Sequence, residues 1–86
     1  PEYFIAKRKI EIGSSNPDYI IKRLTKKYAD EIINEEDGLR IDFSDHWVHF
    51  RKSNTEPIIR CIAEAKTEEA ANGYADEYLD EIKKMI

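Results

Sequence analysis

Leu39-Arg40-Ile41-Asp42-Phe43, Trp47-Val48-His49-Phe50-Arg51 and Ile58-Ile59-Arg60-Cys61-Ile62-Ala63-Glu64-Ala65 are three runs separated by two short polar breaks, and their alternation decides the fold. Leu39, Ile41 and Phe43 alternate with Arg40, Asp42 and Ser44. Val48 and Phe50 share one face of the second run, and Ile59, Cys61 and Ala63 share one face of the third, opposite Ile58, Arg60 and Ile62. A period of two marks half-buried strands, because successive strand side chains point to opposite faces. The breaks, Ser44-Asp45-His46 and Ser53-Asn54-Thr55-Glu56-Pro57, carry residues that bond locally to backbone and favour turns. Strands joined by connections this short pair antiparallel.

Downstream, Thr67 caps a helix, with Glu68 and Glu69 in its first turn and Lys83 and Lys84 in its last, all in the sense the helix dipole favours. Ala71, Tyr74, Ala75, Tyr78, Leu79, Ile82 and Ile86 form its apolar stripe. Gly73 falls inside this helix, at about 1 kcal/mol relative to alanine. Upstream, Asn16 caps a second helix, Pro17 suits its first position and Asp18 its positive end. Ile20, Ile21, Leu24, Tyr28, Ile32 and Ile33 recur at three-to-four spacing, which predicts that this helix runs on until just before Asp37-Gly38. Tyr3-Phe4-Ile5-Ala6 with Lys7-Arg8-Lys9-Ile10-Glu11-Ile12 reads as a first strand, its basic triplet a solvated edge rather than a binding patch. The order strand, helix, strand, strand, strand, helix predicts an α+β fold with a four-stranded antiparallel sheet and two helices packed on one face.

Residues 1–86 suffice for one domain, and 41% hydrophobic with 37% charged residues is a globular rather than a disordered mix. Fourteen basic against eighteen acidic groups give a net charge of -4. With a pI of about 5.2, nucleic acid is disfavoured as a partner. No apolar run approaches the ~20 residues that span a bilayer, and no signal pattern opens the chain, so no membrane partner is expected. Cys61 is alone and cannot close an intramolecular disulfide, which makes a reducing, cytoplasmic location the simpler expectation. With Pro1 first and Met85 as the one methionine, the chain reads as part of a longer gene product. Residues 40–60 carry four basic and three acidic groups, while residues 61–86 carry three and seven, so an anionic ligand would be met in the middle segment.

That segment holds Arg51-Lys52-Ser53-Asn54-Thr55-Glu56-Pro57. A phosphate needs several donors converging from different directions and a compensating positive charge; an arginine at a strand end followed by a Ser/Asn/Thr turn supplies both. Arg60, just past the turn, either reaches back as a second charge or pairs with Glu56. The competing reading of the residues alone is an ordinary polar hairpin turn. His46 and His49 with Asp42 and Asp45 make a poor metal set, since strand residues three apart point to opposite faces. Cys61 packs as a small hydrophobe. Trp47 either packs or stacks on a sugar or a neighbouring domain.

The loop, followed by Ile58-Ile59-Arg60, resembles the phosphate-binding loop in the C-terminal domain (domain 4) of the phosphohexomutase family, the phosphomannomutases and phosphoglucomutases. Asp37-Gly38-Leu39-Arg40-Ile41-Asp42, Trp47-Val48-His49-Phe50 and Glu64-Ala65-Lys66-Thr67-Glu68-Glu69-Ala70 extend the resemblance over residues 37–86. It implies a TATA-binding-protein-like fold and a domain that closes over a cleft formed with the other domains of the same polypeptide. There it holds the phosphate of a hexose phosphate that is not being transferred. Arg51, Ser53, Asn54 and Thr55 match the binding pattern, with Arg60 beside them. The family's phosphorylated serine, its Asp-rich magnesium loop and its sugar loop are not in this sequence, so magnesium is expected in the full-length enzyme and not on this domain, which alone is expected not to be catalytic. Asn54 leans toward the phosphomannomutase and phosphoglucomutase branch, because phosphoglucosamine mutases more often show glycine there. The alternatives are a phosphoglucosamine mutase domain and a non-catalytic protein-interaction module.

Overall fold

A computed structural model describes residues 2–86. These form β1 (Phe4–Glu11), α1 (Pro17–Lys27), β2 (Ile32–Asn34), β3 (Leu39–Asp42), β4 (His46–Lys52), β5 (Ile58–Ala65) and α2 (Glu68–Lys83). The strands make one antiparallel sheet in the order β1-β5-β4-β3-β2. Register places Leu39 and Cys61 opposite Phe50, and all three side chains are fully buried on the face that the helices cover. The α+β class and the two-helix layer are as the sequence implied.

The sheet has five strands, not four, because α1 stops ten residues earlier than Asp37. The Tyr28 amide still donates to the Leu24 carbonyl at 3.0 Å, but the Glu31 amide turns back to Tyr28 at 2.9 Å. Ile32 and Ile33, assigned above to the helix, instead pair with Asp42 and Ile41 at the sheet edge. Adjacent β-branched residues lose side-chain freedom in a helix and fit a pleated surface. Ile33 packs on the core while Ile32 is 74% exposed, which is strand alternation.

Both caps form as read. Asn16 Oδ1 accepts the Asp18 and Tyr19 amides at 2.9 and 3.3 Å, and Thr67 Oγ1 accepts that of Ala70 at 3.0 Å. Ala71, Ala75, Tyr78 and Ile82 carry the buried stripe of α2, whereas Ile86 lies beyond the helix and is largely exposed. Small side chains, Ala6, Ala63 and Ala65 in the sheet against Ala71 and Ala75 in the helix, let the first half of α2 lie close on β1 and β5.

Burial raises the Cys61 thiol from 9.0 to about 12 and pushes Tyr28 and Tyr78 up as well. For Tyr28, the hydrogen bond to Glu81 adds to the burial. The folded domain therefore keeps protons that the unfolded chain releases at ordinary thiol and phenol values. The associated stability is complete below about pH 9 and falls as pH rises toward the folded values. Thermal unfolding from pH 8 to 11 is expected to show a steady loss of Tm starting near pH 9, with Cys61 inert to thiol reagents until unfolding begins; a flat profile would refute this.

Candidate functional site

Strand alternation divides the two cations at the end of β4. Phe50 points into the core, so Arg51 emerges on the open face of the sheet with a side chain 52% exposed. Lys52 falls on the helix side, where its Nζ meets Asp18 Oδ1 in the first turn of α1 at 2.8 Å. The register also sets Arg51 directly opposite Arg60 on β5, at the base of the hairpin loop.

The loop itself is organised by Ser53. Its amide donates to the Ile58 carbonyl at 3.1 Å, and its Oγ accepts the amides of Thr55 and Glu56, both at 3.2 Å. A hydroxyl has two acceptor sites and one donor, so with both acceptors taken by the turn the Ser53 hydrogen is directed at Thr55 Oγ1, 3.4 Å away, and the Thr55 hydroxyl keeps its own hydrogen to donate. The end of β1 holds the loop from the other side, the Ile12 amide donating to the Pro57 carbonyl at 2.8 Å. Among the described residues Arg60 forms no ion pair with Glu56 within 4.0 Å; it is exposed on the open face, across from Arg51.

A segment that the sequence reading treated only as a helix end and part of the resemblance completes the site. Gly38 has φ +75°, and a Cβ placed there would sit 2.2 Å from the Phe50 carbonyl oxygen and 3.2 Å from Arg51 Cγ. Only glycine lets this turn lie against β4. The His49 ring bonds to the Asp37 carbonyl from the open face, and the Asp37 carboxylate lies 3.5 Å from the Arg51 guanidinium. Asp37, Gly38, Arg51, Lys52 and Asn54, with Asp18, Ile21 and Glu35, line a cleft of about 320 Å³, and Ser53, Thr55 and Arg60 lie outside its lining. The arrangement sets a half-exposed guanidinium, with the Asp37 carboxylate 3.5 Å away, beside a turn in which Asn54 and Thr55 are exposed.

The two histidines part as the spacing required. His46 is enclosed between the Phe43 and Tyr74 rings, stacked at 4.4 and 3.6 Å, with one ring nitrogen 2.7 Å from Asp45 and the other 2.7 Å from the Tyr78 hydroxyl. Hydrogen bonds from Tyr74 and then His46 hold the Asp45 carboxyl below its ordinary range. Trp47 lies on the open face under the Arg40 guanidinium, 4.4 Å from the ring centre. A second cleft, of about 280 Å³, lies beside Trp47 and Asp45, at the far end of β4 from the loop. Among the described residues, no three His, Cys, Asp or Glu side chains converge as a metal site.

Residues 12–81 match the family described as "Phosphoglucomutase/phosphomannomutase, C-terminal domain". The chain belongs to this family. The mutase C-terminal domain is 32% identical over its whole length to a "Probable phosphoglucosamine mutase" of Methanopyrus kandleri, covering 20% of that protein. It is 34% identical, again over its whole length, to a "Phosphoglucosamine/phosphogalactosamine mutase" of Sulfurisphaera tokodaii, covering 19% of it. Over 88% of the domain it is 38% identical to 17% of a "Phosphoglucomutase/phosphomannomutase" of Thermococcus kodakarensis. The chain thus spans about a fifth of the length of the curated relatives it matches. Relatives of both names occur, which leaves both branches open for this chain.

Proposed function

We propose that this domain binds the phosphate group of a phosphosugar at Arg51, Ser53, Asn54, Thr55 and Arg60. The observation that carries the reading is the Ser53 turn, which holds Asn54 and Thr55 exposed at the end of a hairpin whose base sets Arg51 opposite Arg60. A dianionic monoester suits this set, because charge-assisted hydrogen bonds to arginine are the strong ones and hydroxyl and amide donors complete the oxygens. The whole enzyme is then an intramolecular phosphotransferase that converts a hexose or hexosamine 6-phosphate to the 1-phosphate. This domain grips the phosphate that stays while the reacting groups come from the other domains of the polypeptide. The substrate names carried by the relatives support a hexosamine phosphate as much as a glucose or mannose phosphate. Magnesium is assigned to parts of the enzyme outside this chain, and a cytoplasmic location goes with the buried unpaired Cys61. Among the described residues no helix is long and apolar enough to cross a membrane.

Arg51→Ala in the full-length mutase is expected to lower kcat/KM by roughly 10- to 150-fold, the loss of one or two charged hydrogen bonds worth about 1.5–3 kcal/mol. Unchanged kcat/KM in that variant would remove Arg51 from the site.

A further inference from the structure

β1 brings a third cation to the row. Lys9 registers opposite Arg60, which registers opposite Arg51, so three positive residues lie side by side across three neighbouring strands of the open face. All three are exposed. Like charges directly opposite one another in a sheet are destabilising, and the usual remedy is an interleaved carboxylate. Here that remedy is thin. Asp37 touches Arg51 at 3.5 Å, and Asp42 is taken by Arg40 at 2.9 Å. Glu11 shares the face, opposite Ile58 and diagonal to Arg60. Among the described residues neither Lys9 nor Arg60 has an ion pair within 4.0 Å. A chain with net charge -4 and eighteen carboxylates has ample means to neutralise such a row, yet leaves it open beside the loop.

We propose that Lys9 is a further phosphate-binding residue, and that Lys9, Arg60 and Arg51 together are an anion row completed by the dianionic phosphate of the phosphosugar. The inference rests on the loop reading above and adds β1 to it. Neighbouring strands lie about 4.8 Å apart, so Lys9 and Arg51 start about 10 Å apart with Arg60 between them. Long side chains from the two outer positions can converge over the middle one. The basic triplet Lys7-Arg8-Lys9, read from sequence as a solvated edge, is then split by alternation: Arg8 turns to the helix side, bonded to Asp76 and Asn72 at 3.0 and 2.9 Å, and Lys9 faces the ligand.

The test is a titration of this 86-residue chain with inorganic phosphate, followed by amide spectra, for the parent, Lys9→Met and Lys9→Arg. The methionine variant keeps the apolar stem and is expected to bind phosphate about two- to fivefold more weakly, as for one exposed ion pair. It should also show a shallower dependence of affinity on salt, while its ligand-free Tm rises because a like charge has gone. Lys9→Arg should restore the parent affinity. Equal affinity and equal salt dependence in Lys9→Met would overturn the role of Lys9 while leaving the loop reading intact. A parent chain with no shifts at residues 51–60 would overturn both.

Discussion

Gly38→Ala is expected to destabilise the domain by roughly 2 to 5 kcal/mol, combining the cost of a left-handed non-glycine residue with that of forcing a methyl group into packed structure. The contact it creates is with backbone: the Phe50 carbonyl oxygen, 2.2 Å from the added carbon, cannot rotate aside as a side chain would. Either the Asp37-Gly38 turn lifts off β4 or β4 bends away from it. Both movements separate Asp37 from Arg51 and His49, so the variant should also bind phosphate differently, which a remote destabilising change would not do. A domain of this size has about 4 to 13 kcal/mol in total, so the loss is a large share of it. Denaturant unfolding measures the first effect, and a midpoint equal to that of the parent would show that the turn is not held against β4.

Phe50→Ala acts from the other side of the same strand and is expected to cost about 3–5 kcal/mol. Phe50 is completely buried, lies between Leu39 and Cys61 across the sheet, and meets the Tyr78 ring edge-on at 5.9 Å. The strands on either side are fixed by register and α2 rests on the ring through Tyr78, so collapse into the space is restricted. Because Phe50 precedes Arg51, its core contact is what aims the guanidinium outward. A loss below about 1 kcal/mol would mean that the sheet repacks around the gap and that β4 is not anchored there.

Most of the fold was legible because its signals are local. The alternation from Leu39 to Ala65, the caps at Asn16 and Thr67 and the stripe of α2 each depend on a few neighbouring residues. The end of α1 was not. Ile32 and Ile33 continue a helical spacing from Tyr28, and it is their pairing with β3, a contact between separate elements, that tips this β-branched pair into a strand. The candidate site divides in the same way. Arg51, Ser53, Asn54 and Thr55 announce themselves as a turn rich in donors, whereas Asp37 and Lys9 join the picture through a glycine packed on another strand and through the register of the first strand with the last. Register between distant strands leaves no trace in a single local pattern, so a lysine read as a solvated edge comes to lie in a row with two arginines. His46 was hidden for a similar reason: its stacking partner Tyr74 and its hydrogen-bond partner Tyr78 come from α2.

The central claim is that residues 51–60 form a phosphate seat. Amide spectra of the chain titrated with inorganic phosphate test it most directly. The account predicts saturable shifts concentrated at Arg51, Ser53, Asn54, Thr55 and Arg60, weak in affinity because the other domains contribute nothing, and abolished in Arg51→Ala while the rest of the spectrum is unchanged. Spectra that do not respond in residues 51–60, or shifts spread evenly over the surface lysines, would contradict it.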